Sequence, residues 1–599
     1  MVLMPAAMGR ARGAGSDGRK YHWRIHARDP AAIAELSRSA AISPVTAHLL
    51  LNRGISDPER ARAFLDAKLG DLADPETIPG AVEAAERIVR AIRDDRKIVI
   101  YGDYDVDGVC GTSILWSCLK MAGASEVEYY IPHRVDEGYG VNADALRKLA
   151  SEHKASLIVT VDCGISAVRE AEIARELGVE YIVTDHHTIG LTLPRADAIV
   201  HPRLPGGLPA SADLCGAGVA FKLAWQVSKS FGTGKRASPH MREFLMRSLG
   251  HVALATIADV MPLSDENRIL VRRGLEGIGQ NPTPGLRALL AVSGSLGKRR
   301  LTAGTVGFNL APRINAAGRI ERAMMAVELL TTDNQDRAAE IASELDRCNT
   351  DRKAVEIKIV EQARAMLEAQ GGVKGRGAIV LAHREWHVGV IGIVASRMVD
   401  LHHRPTVILA IGDEHAQGSA RSIPGFDLYE AIKDCSEGLL AFGGHPAAAG
   451  LKVTEELLPV FAQRFEERCR LALEAAPLER ALEIDAEVPF GVLNTRVVEE
   501  IEKLEPHGLS NPRPLLLASN VRVEGSPRIV GEQKKHVQLR LGQDGIVFKA
   551  IAWGMADRGG ELAVGTRCSV VFQPSINEWN GRREVQLEVR DFEVETEVD

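Results

Sequence analysis

The sequence predicts a multidomain α/β chain, and three observations predict it. From 97 to about 260, short apolar runs alternate with helical patterns, the mark of a parallel sheet covered by helices. Thr332 to Gln370 contains neither Gly nor Pro and repeats apolar residues near helical spacing, so one long helix is expected. From about 480 the periodicity turns to short strands separated by turn residues, which indicates a small β-barrel.

At 599 residues the chain has room for three or four domains. No apolar run approaches the ~18 residues of a membrane span. The first twenty residues are rich in Gly, Ala and Arg without a continuous apolar core, and read as a tail, not a secretory signal. The eight Cys are scattered with no Cys-x-x-Cys, which fits reduced thiols in the cytoplasm and argues against a disulfide framework or a zinc site. The net charge of −7 would not draw in polyanions, so any nucleic-acid binding must come from a local basic patch.

Residues 1–80 read as this tail and a helical lead-in. Ser43-Pro44 and Ser56-Asp57-Pro58 are helix starts with Pro in the first turn. Residues 81–275 form the first α/β domain. Its opening strand, Lys97 to Tyr101, runs into Gly102-Asp103-Tyr104-Asp105-Val106-Asp107-Gly108 and then a helix. Three Asp so close repel one another beside a core, a cost that a divalent cation relieves. Oxygen ligands suit Mg²⁺ or Mn²⁺; a calcium loop would want Glu at its twelfth position, where Ile114 stands.

Later strands end at Asp162 and in Asp185-His186-His187. Ligands of parallel sheets bind outside the carboxyl ends of the strands. Three strand ends thus deliver carboxylates and imidazoles to one edge, which reads as a metal site. Asp259 follows a long helix-like run and taken alone is a capping residue near a helix end.

Residues 276–370 are a connector dominated by the long helix. Residues 371–475 form a second α/β unit. Its turn Trp386-His387-Val388-Gly389 runs into a helix, and Gly418-Ser419-Ala420-Arg421 and Gly443-Gly444-His445 add hydroxyl, guanidinium and imidazole donors suited to phosphate. Residues 480–599 are the barrel. It carries Lys534-Lys535-His536, Arg540, Lys549, Trp553, Trp579, Arg582 and Arg583, bases and aromatics of the kind that hold single strands by charge and stacking.

The arrangement Asp-x-Asp, Asp162, Asp185-His186-His187 and Asp259, with Asn315-Ala316-Ala317-Gly318-Arg319 and Gly443-Gly444-His445, resembles the DHH phosphoesterase superfamily. Gly102-Asp103-Tyr104-Asp105-Val106-Asp107-Gly108, Tyr129-Tyr130-Ile131-Pro132-His133-Arg134 and Glu137-Gly138-Tyr139-Gly140 are similar to its bacterial single-strand-specific DNA exonucleases. The resemblance spans about residue 50 to the end. It implies a DHH catalytic domain, a DHHA1-like substrate-binding domain and an OB-like barrel. The implied activity is metal-dependent 5′→3′ hydrolysis of single-stranded DNA in recombination and repair, with two Mn²⁺ or Mg²⁺ ions. By the family pattern Asp162 bridges the ions, Asp105 serves one, and Asp107, His186 and Asp259 serve the other. His187 meets the scissile phosphate or assists proton transfer.

In one respect the chain departs from the family. Many members carry His four residues before the first ligand Asp; here that residue is Tyr101, and Asp103 is the replacement ligand expected. Arg134, Arg319, Ser419, Arg421 and His445 are candidates for holding substrate phosphates, and Lys534, Lys535 and His536 for strand binding on the barrel. A narrow route between two lobes is expected to exclude duplex. A single-strand-binding protein and a repair helicase are the partners the resemblance implies, with a cytoplasmic monomer and no membrane.

Overall fold

The computed structural model describes residues 21–595, apart from 134–136, 139, 320–322 and 580. The expected N-terminal tail and Arg134 therefore lie outside the described residues. The chain divides into two compact units, Met1–Asp346 with Leu482–Asp599, and Arg347–Ala481.

The first unit is built on a five-stranded sheet in the order Val127–Tyr130, Ile98–Tyr101, Leu157–Thr160, Glu180–Thr184, Ala198–Val200, every pair parallel. The Ile98–Tyr101 and Leu157–Thr160 strands are buried along their whole length, as a sheet covered on both faces requires. One face packs on the Val106–Met121, Gly216–Ser230 and Pro239–Ala258 helices. The other packs on the Ala143–Ser151 and Val168–Glu176 helices. The strand after Ile98–Tyr101 lies on one side of it and the next on the other. The order reverses there, which opens a crevice at the carboxyl ends.

Three short helices precede this sheet: Pro30–Ala40, Pro44–Asn52 and Pro58–Asp66. Asp29, Ser43 and Asp57 cap them, each followed by Pro, which has no N–H to leave unpaired in the first turn. Their apolar faces do not join the parallel sheet. Ile33, Leu36, Leu49 and Leu50 share one core with Leu541, Phe572 and Phe592 of the barrel. Two buried arginines pin the junction. Arg53 donates to Leu49 O (2.7 Å), Pro512 O (2.7 Å) and Asn511 Oδ1 (2.9 Å). Arg268 donates to Phe64 O, Leu504 O, Lys503 O and Glu505 O at 2.7–3.0 Å.

In the barrel, the strands Leu516–Val523, Arg567–Trp579, Arg582–Val594, Ile546–Ala552 and His536–Gln543 pair in sequence, and the last pairs back with the first. That closes a five-stranded ring and leaves no edge within it. The gap-free run predicted as a helix is one, Gln335–Ala369, about 50 Å long at 1.5 Å per residue. Its first twelve residues belong to the first unit and the rest to the second.

The second unit is a five-stranded mixed sheet in the order Leu439–His445, Ala448–Val453, Ala416–Arg421, Thr406–Ile411, Ile379–His383; only the last pair is parallel.

Candidate metal centre

The acidic loop folds the way a helix start dictates. Asp105 is the N-cap of Val106–Met121, its Oδ1 accepting the N–H of Asp107 (2.8 Å) and Gly108 (3.1 Å). Asp107, in the first turn, is 1 % exposed. A second helix holds it: Gly216 N donates to Oδ2 (2.6 Å) and Ala217 N to Oδ1 (2.7 Å) from the start of Gly216–Ser230. A helix N-terminus carries positive partial charge, so it favours a buried carboxylate there.

Asp162 follows the Leu157–Thr160 strand with φ 64°, a left-handed conformation that Asp tolerates better than most residues. The backbone turn aims its carboxylate at the crevice, and a Cβ on Gly216 would lie 2.5 Å from Asp162 Oδ1. Asp185 ends the Glu180–Thr184 strand and works as a bracket. Its Oδ1 accepts His186 N (2.7 Å) and His187 N (3.1 Å) and pairs with His187 Nδ1 (2.7 Å), while Oδ2 accepts Ile165 N (2.9 Å). Asp259 is the C-cap of Pro239–Ala258, so it is both the capping residue its position suggests and a member of the cluster.

These ends converge. The ligand atoms of Asp103, Asp105 and Asp162 lie within 4.8 Å of one another, as do those of Asp107, His186 and Asp259. His186 Nε2 joins the two sets, 3.1 Å from Asp162 Oδ1, 3.6 Å from Asp259 Oδ2 and 3.7 Å from Asp107 Oδ2. His187 also reaches Asp162, at 3.8 Å from Nδ1, but that nitrogen is engaged by Asp185. Asp162, His186 and His187 thus form a third set within 4.8 Å, and the Asp185 bond to Nδ1 orients the His187 ring, with its Nε2 the atom for a phosphate, a proton or an ion.

The electrostatics of the bare cluster are unfavourable. Burial, then the charges of Asp107 and Asp105, pushes the Asp162 carboxyl well up. Burial and Asp105 raise Asp107 to about 6; burial, Asp107 and Asp105 raise Asp259 to about 8. Burial and the neighbouring His187 lower His186 to about 3, so its imidazole is neutral and has a lone pair to offer. Its Nε2 makes no hydrogen bond among the described residues. His187 goes the other way: burial lowers its pKa, but the Asp185 hydrogen bond and charge prevail and raise it. Two groups of hard oxygen donors and one neutral imidazole, with no thiolate among them, fit divalent cations of the Mg²⁺ or Mn²⁺ class.

Tyr101 stands apart from the cluster. It is fully buried, its hydroxyl donating to Gly140 O (3.1 Å) and accepting from Asn142 Nδ2 (3.3 Å). Asp103, 3 % exposed, is the side chain that completes the first set.

The Asn315-to-Arg319 motif supports the same loop: Val106 N donates to Asn315 Oδ1 (3.2 Å), and a Cβ on Gly318 would meet Tyr104 O at 2.5 Å. The side chain of Arg319 lies outside the described residues. Sequence reasoning missed the bracket role of Asp185 and the Gly216–Ala217 N–H pair. The second has no local signal, since the contact joins residues more than a hundred positions apart.

In the second unit, Arg421 pairs with Ala448 and Ala448 with His445, so Arg421 and His445 sit in one row across three strands. Arg421 donates to Ser419 Oγ (3.0 Å) and Ala420 O (2.8 Å). A Cβ on Gly392, in the first turns of the Val388–His402 helix, would come 2.9 Å from the Arg421 guanidinium. Ser419 and Arg421 thus gather against a helix start, with His445 in the same row two strands away.

On the barrel, Lys534 and Lys535 are exposed and precede the His536–Gln543 strand. His536 packs edge-on to Trp553 at 4.7 Å, and Trp553 is 47 % exposed. Lys549 and Arg583 are paired with Glu584 and Glu499, which weakens their claim on phosphate. The side chain of Trp579 lies outside the described residues. No helix among the described residues is long and apolar enough to cross a membrane.

Comparison with known proteins agrees across the chain. Residues 97–255 match the DHH family N-terminal domain, 352–471 the DHHA1 domain and 484–591 the RecJ OB domain. The single-stranded-DNA-specific exonuclease RecJ of Bacillus subtilis is 39% identical over 578 residues, covering 96% of this chain and 71% of that protein. The Escherichia coli protein of the same name is 33% identical over 563 residues, 92% of this chain and 95% of that one. Among solved structures, RecJ from Thermus thermophilus in complex with Mn²⁺ superposes with a TM-score of 0.79 at 33% identity, over 95% of this chain and 79% of that one. The Mg²⁺ complex gives 0.74 at 32%, over 95% and 78%.

Proposed function

Since the chain belongs to the RecJ family of single-stranded-DNA-specific exonucleases, we propose that it is a metal-dependent 5′→3′ exonuclease of single-stranded DNA acting in recombination and repair. The observation that carries this reading is the convergence of Asp103, Asp105, Asp107, Asp162, His186 and Asp259 at one sheet edge. Asp103, Asp105 and Asp162 would hold one divalent ion, Asp107, His186 and Asp259 would hold the other, and Asp162 would serve both. Bound there, the ions supply charge to the scissile phosphate oxygens and a nucleophilic water at neutral pH.

The protein's own groups do the rest. Asp185 keeps a proton on His187, whose side chain is 42 % exposed and would meet the phosphate or the leaving oxygen. Gly216 and Ala217 hold Asp107 in place. Ser419, Arg421 and His445 are our candidates for the terminal 5′ phosphate. Arg134 and Arg319 are our candidates for phosphates further along. Lys534, Lys535 and His536, beside Trp553, would guide the strand to the site. We place the enzyme in the cytoplasm as a monomer, with single-strand-binding protein and a repair helicase as partners.

The test is digestion of strands labelled at either end, single and duplex, with and without Mn²⁺. Metal-dependent release from the 5′ end of single strands alone is expected; release from the 3′ end would overturn the polarity. A terminal monophosphate carries more charge than an internal diester, and a guanidinium rewards the difference. Arg421→Ala should therefore cost about ten- to a hundredfold in kcat/KM on 5′-phosphorylated strands and less on 5′-hydroxyl strands. Equal losses on both would mean that Arg421 does not read the end.

A further inference from the structure

Two helices that reach the metal centre also wall a separate cavity. Val106–Met121 starts at Asp105 and Pro239–Ala258 ends at Asp259. Three turns into the first, Trp116 and Lys120 face a cavity of about 450 Å³. Two turns before the end of the second, His251 forms part of its lining, with Phe244 and Arg247 on the same helix. None of the cluster carboxylates lines it.

His251 is the odd member. It is 7 % exposed, and neither ring nitrogen has a hydrogen-bond partner among the described residues. A buried polar group left unpaired costs free energy, so native structures pair such groups with protein, water or ligand. Burial and the Arg247 charge lower its pKa to about 4, so at neutral pH it presents one N–H donor and one bare nitrogen acceptor. That pair complements the N–H and C=O, or amino and ring-nitrogen, edge of a nucleobase.

The rest of the lining suits the rest of a nucleotide. Trp116 is half-buried and braced edge-on by Tyr129 at 6.1 Å. Lys120 and Arg247 are exposed; Lys120 Nζ donates to Ser125 O (3.2 Å), a backbone acceptor that leaves its charge unneutralised. Lys120 Nζ lies 6.0 Å from the Trp116 ring. Glu243 and Asp333 also line the cavity, acceptors for sugar hydroxyl or base amino groups. The volume falls in the range of small-molecule sites, ~300–1,000 Å³.

We infer that this cavity is a second ligand site, distinct from the metal centre, that binds a nucleoside monophosphate. Its base lies on Trp116 with an edge on His251, and its phosphate on Lys120 and Arg247. The chemistry of the lining, not the reaction proposed above, sets the class of ligand.

The test is calorimetric titration of the full chain with dAMP, dGMP, dCMP and dTMP in chelator, so that the metal centre is disabled. One saturable site is expected for at least one of them. Trp116→Leu should weaken it about tenfold through lost stacking. Arg247→Ala, an exposed change without consequence for folding, should weaken the monophosphate about tenfold and the matching nucleoside far less. His251→Phe should remove binding, with melting as the control for its fold. Asp162→Asn should leave binding intact. No saturable binding at millimolar nucleotide, or binding that Arg247→Ala and Trp116→Leu leave unchanged, would overturn the inference and leave the cavity to water. Binding removed by Asp162→Asn but not by Arg247→Ala would assign it to the metal centre and overturn the inference equally.

Discussion

Asp162 and Asp185 differ in what they do for the site, and substitution should separate them. Asp162, a proposed ligand of the ions, has a left-handed backbone conformation that Asn also accepts. Asp162→Asn should abolish hydrolysis while the chelated protein melts within a few degrees of the parent. Near-normal turnover would remove Asp162 from the mechanism. Asp185 touches no proposed ion and holds His187 through Nδ1. Asp185→Asn should lower activity about 10–100-fold, the usual cost of losing a partner that orients a site residue. It should also shift the pH profile. Asp185 raises the His187 pKa, so without it the protonated ring is lost at lower pH, and the alkaline limb of kcat/KM moves down. An unmoved limb would leave Asp185 a purely backbone-bracing role.

At the scale of elements, the centre is an assembly of strand ends and helix ends, and its weak points are where those ends meet. Gly216 begins one helix and abuts Asp162. Gly216→Ala should slow hydrolysis on the order of a hundredfold by displacing the carboxylate, with little change in melting. An unchanged rate would show that Asp162 can yield without cost. The cluster also sets a pH dependence on the metal-free fold. Carboxyls raised to about 6 and about 8 favour the folded state only while protonated. Their penalty therefore appears as pH rises above the ordinary carboxylate value and is complete above about pH 8. Thermal melts in chelator should fall by several degrees from about pH 5 to about pH 9, and Mn²⁺ should reverse the fall. A flat profile in chelator would mean that the cluster is not strained. The strand ends were legible in the sequence because a buried parallel strand is a continuous apolar run, and polar residues just past it have one edge to occupy. The Gly216 and Ala217 N–H groups were not, because a backbone donor has no side chain to mark it.

For the whole molecule, the lead-in helices belong with the barrel. Their caps were readable from Ser-Pro and Asp-Pro pairs, but which core they serve was not, since a helix face shows that it is buried and not against what. Deleting 481–599 would return Leu49, Leu50 and their neighbours to water, at about 1.5–3 kcal/mol for each large side chain. Such a truncation should be cut rapidly by protease within residues 22–66 while 97–345 resists. Resistance throughout would mean that the lead-in is stable alone. The barrel's role in binding is better read from Trp553→Ala or Lys534→Ala with Lys535→Ala. These should weaken long strands about tenfold and flatten the salt dependence without altering melting. The shared core also has a consequence in time. The lead-in helices leave the ribosome well before the strands that cover them. At ordinary synthesis rates the interval is on the order of a minute. For that interval the apolar faces of Ile33, Leu36 and Leu50 lack the barrel half of their core, so the nascent chain offers chaperones a binding site there until the barrel emerges.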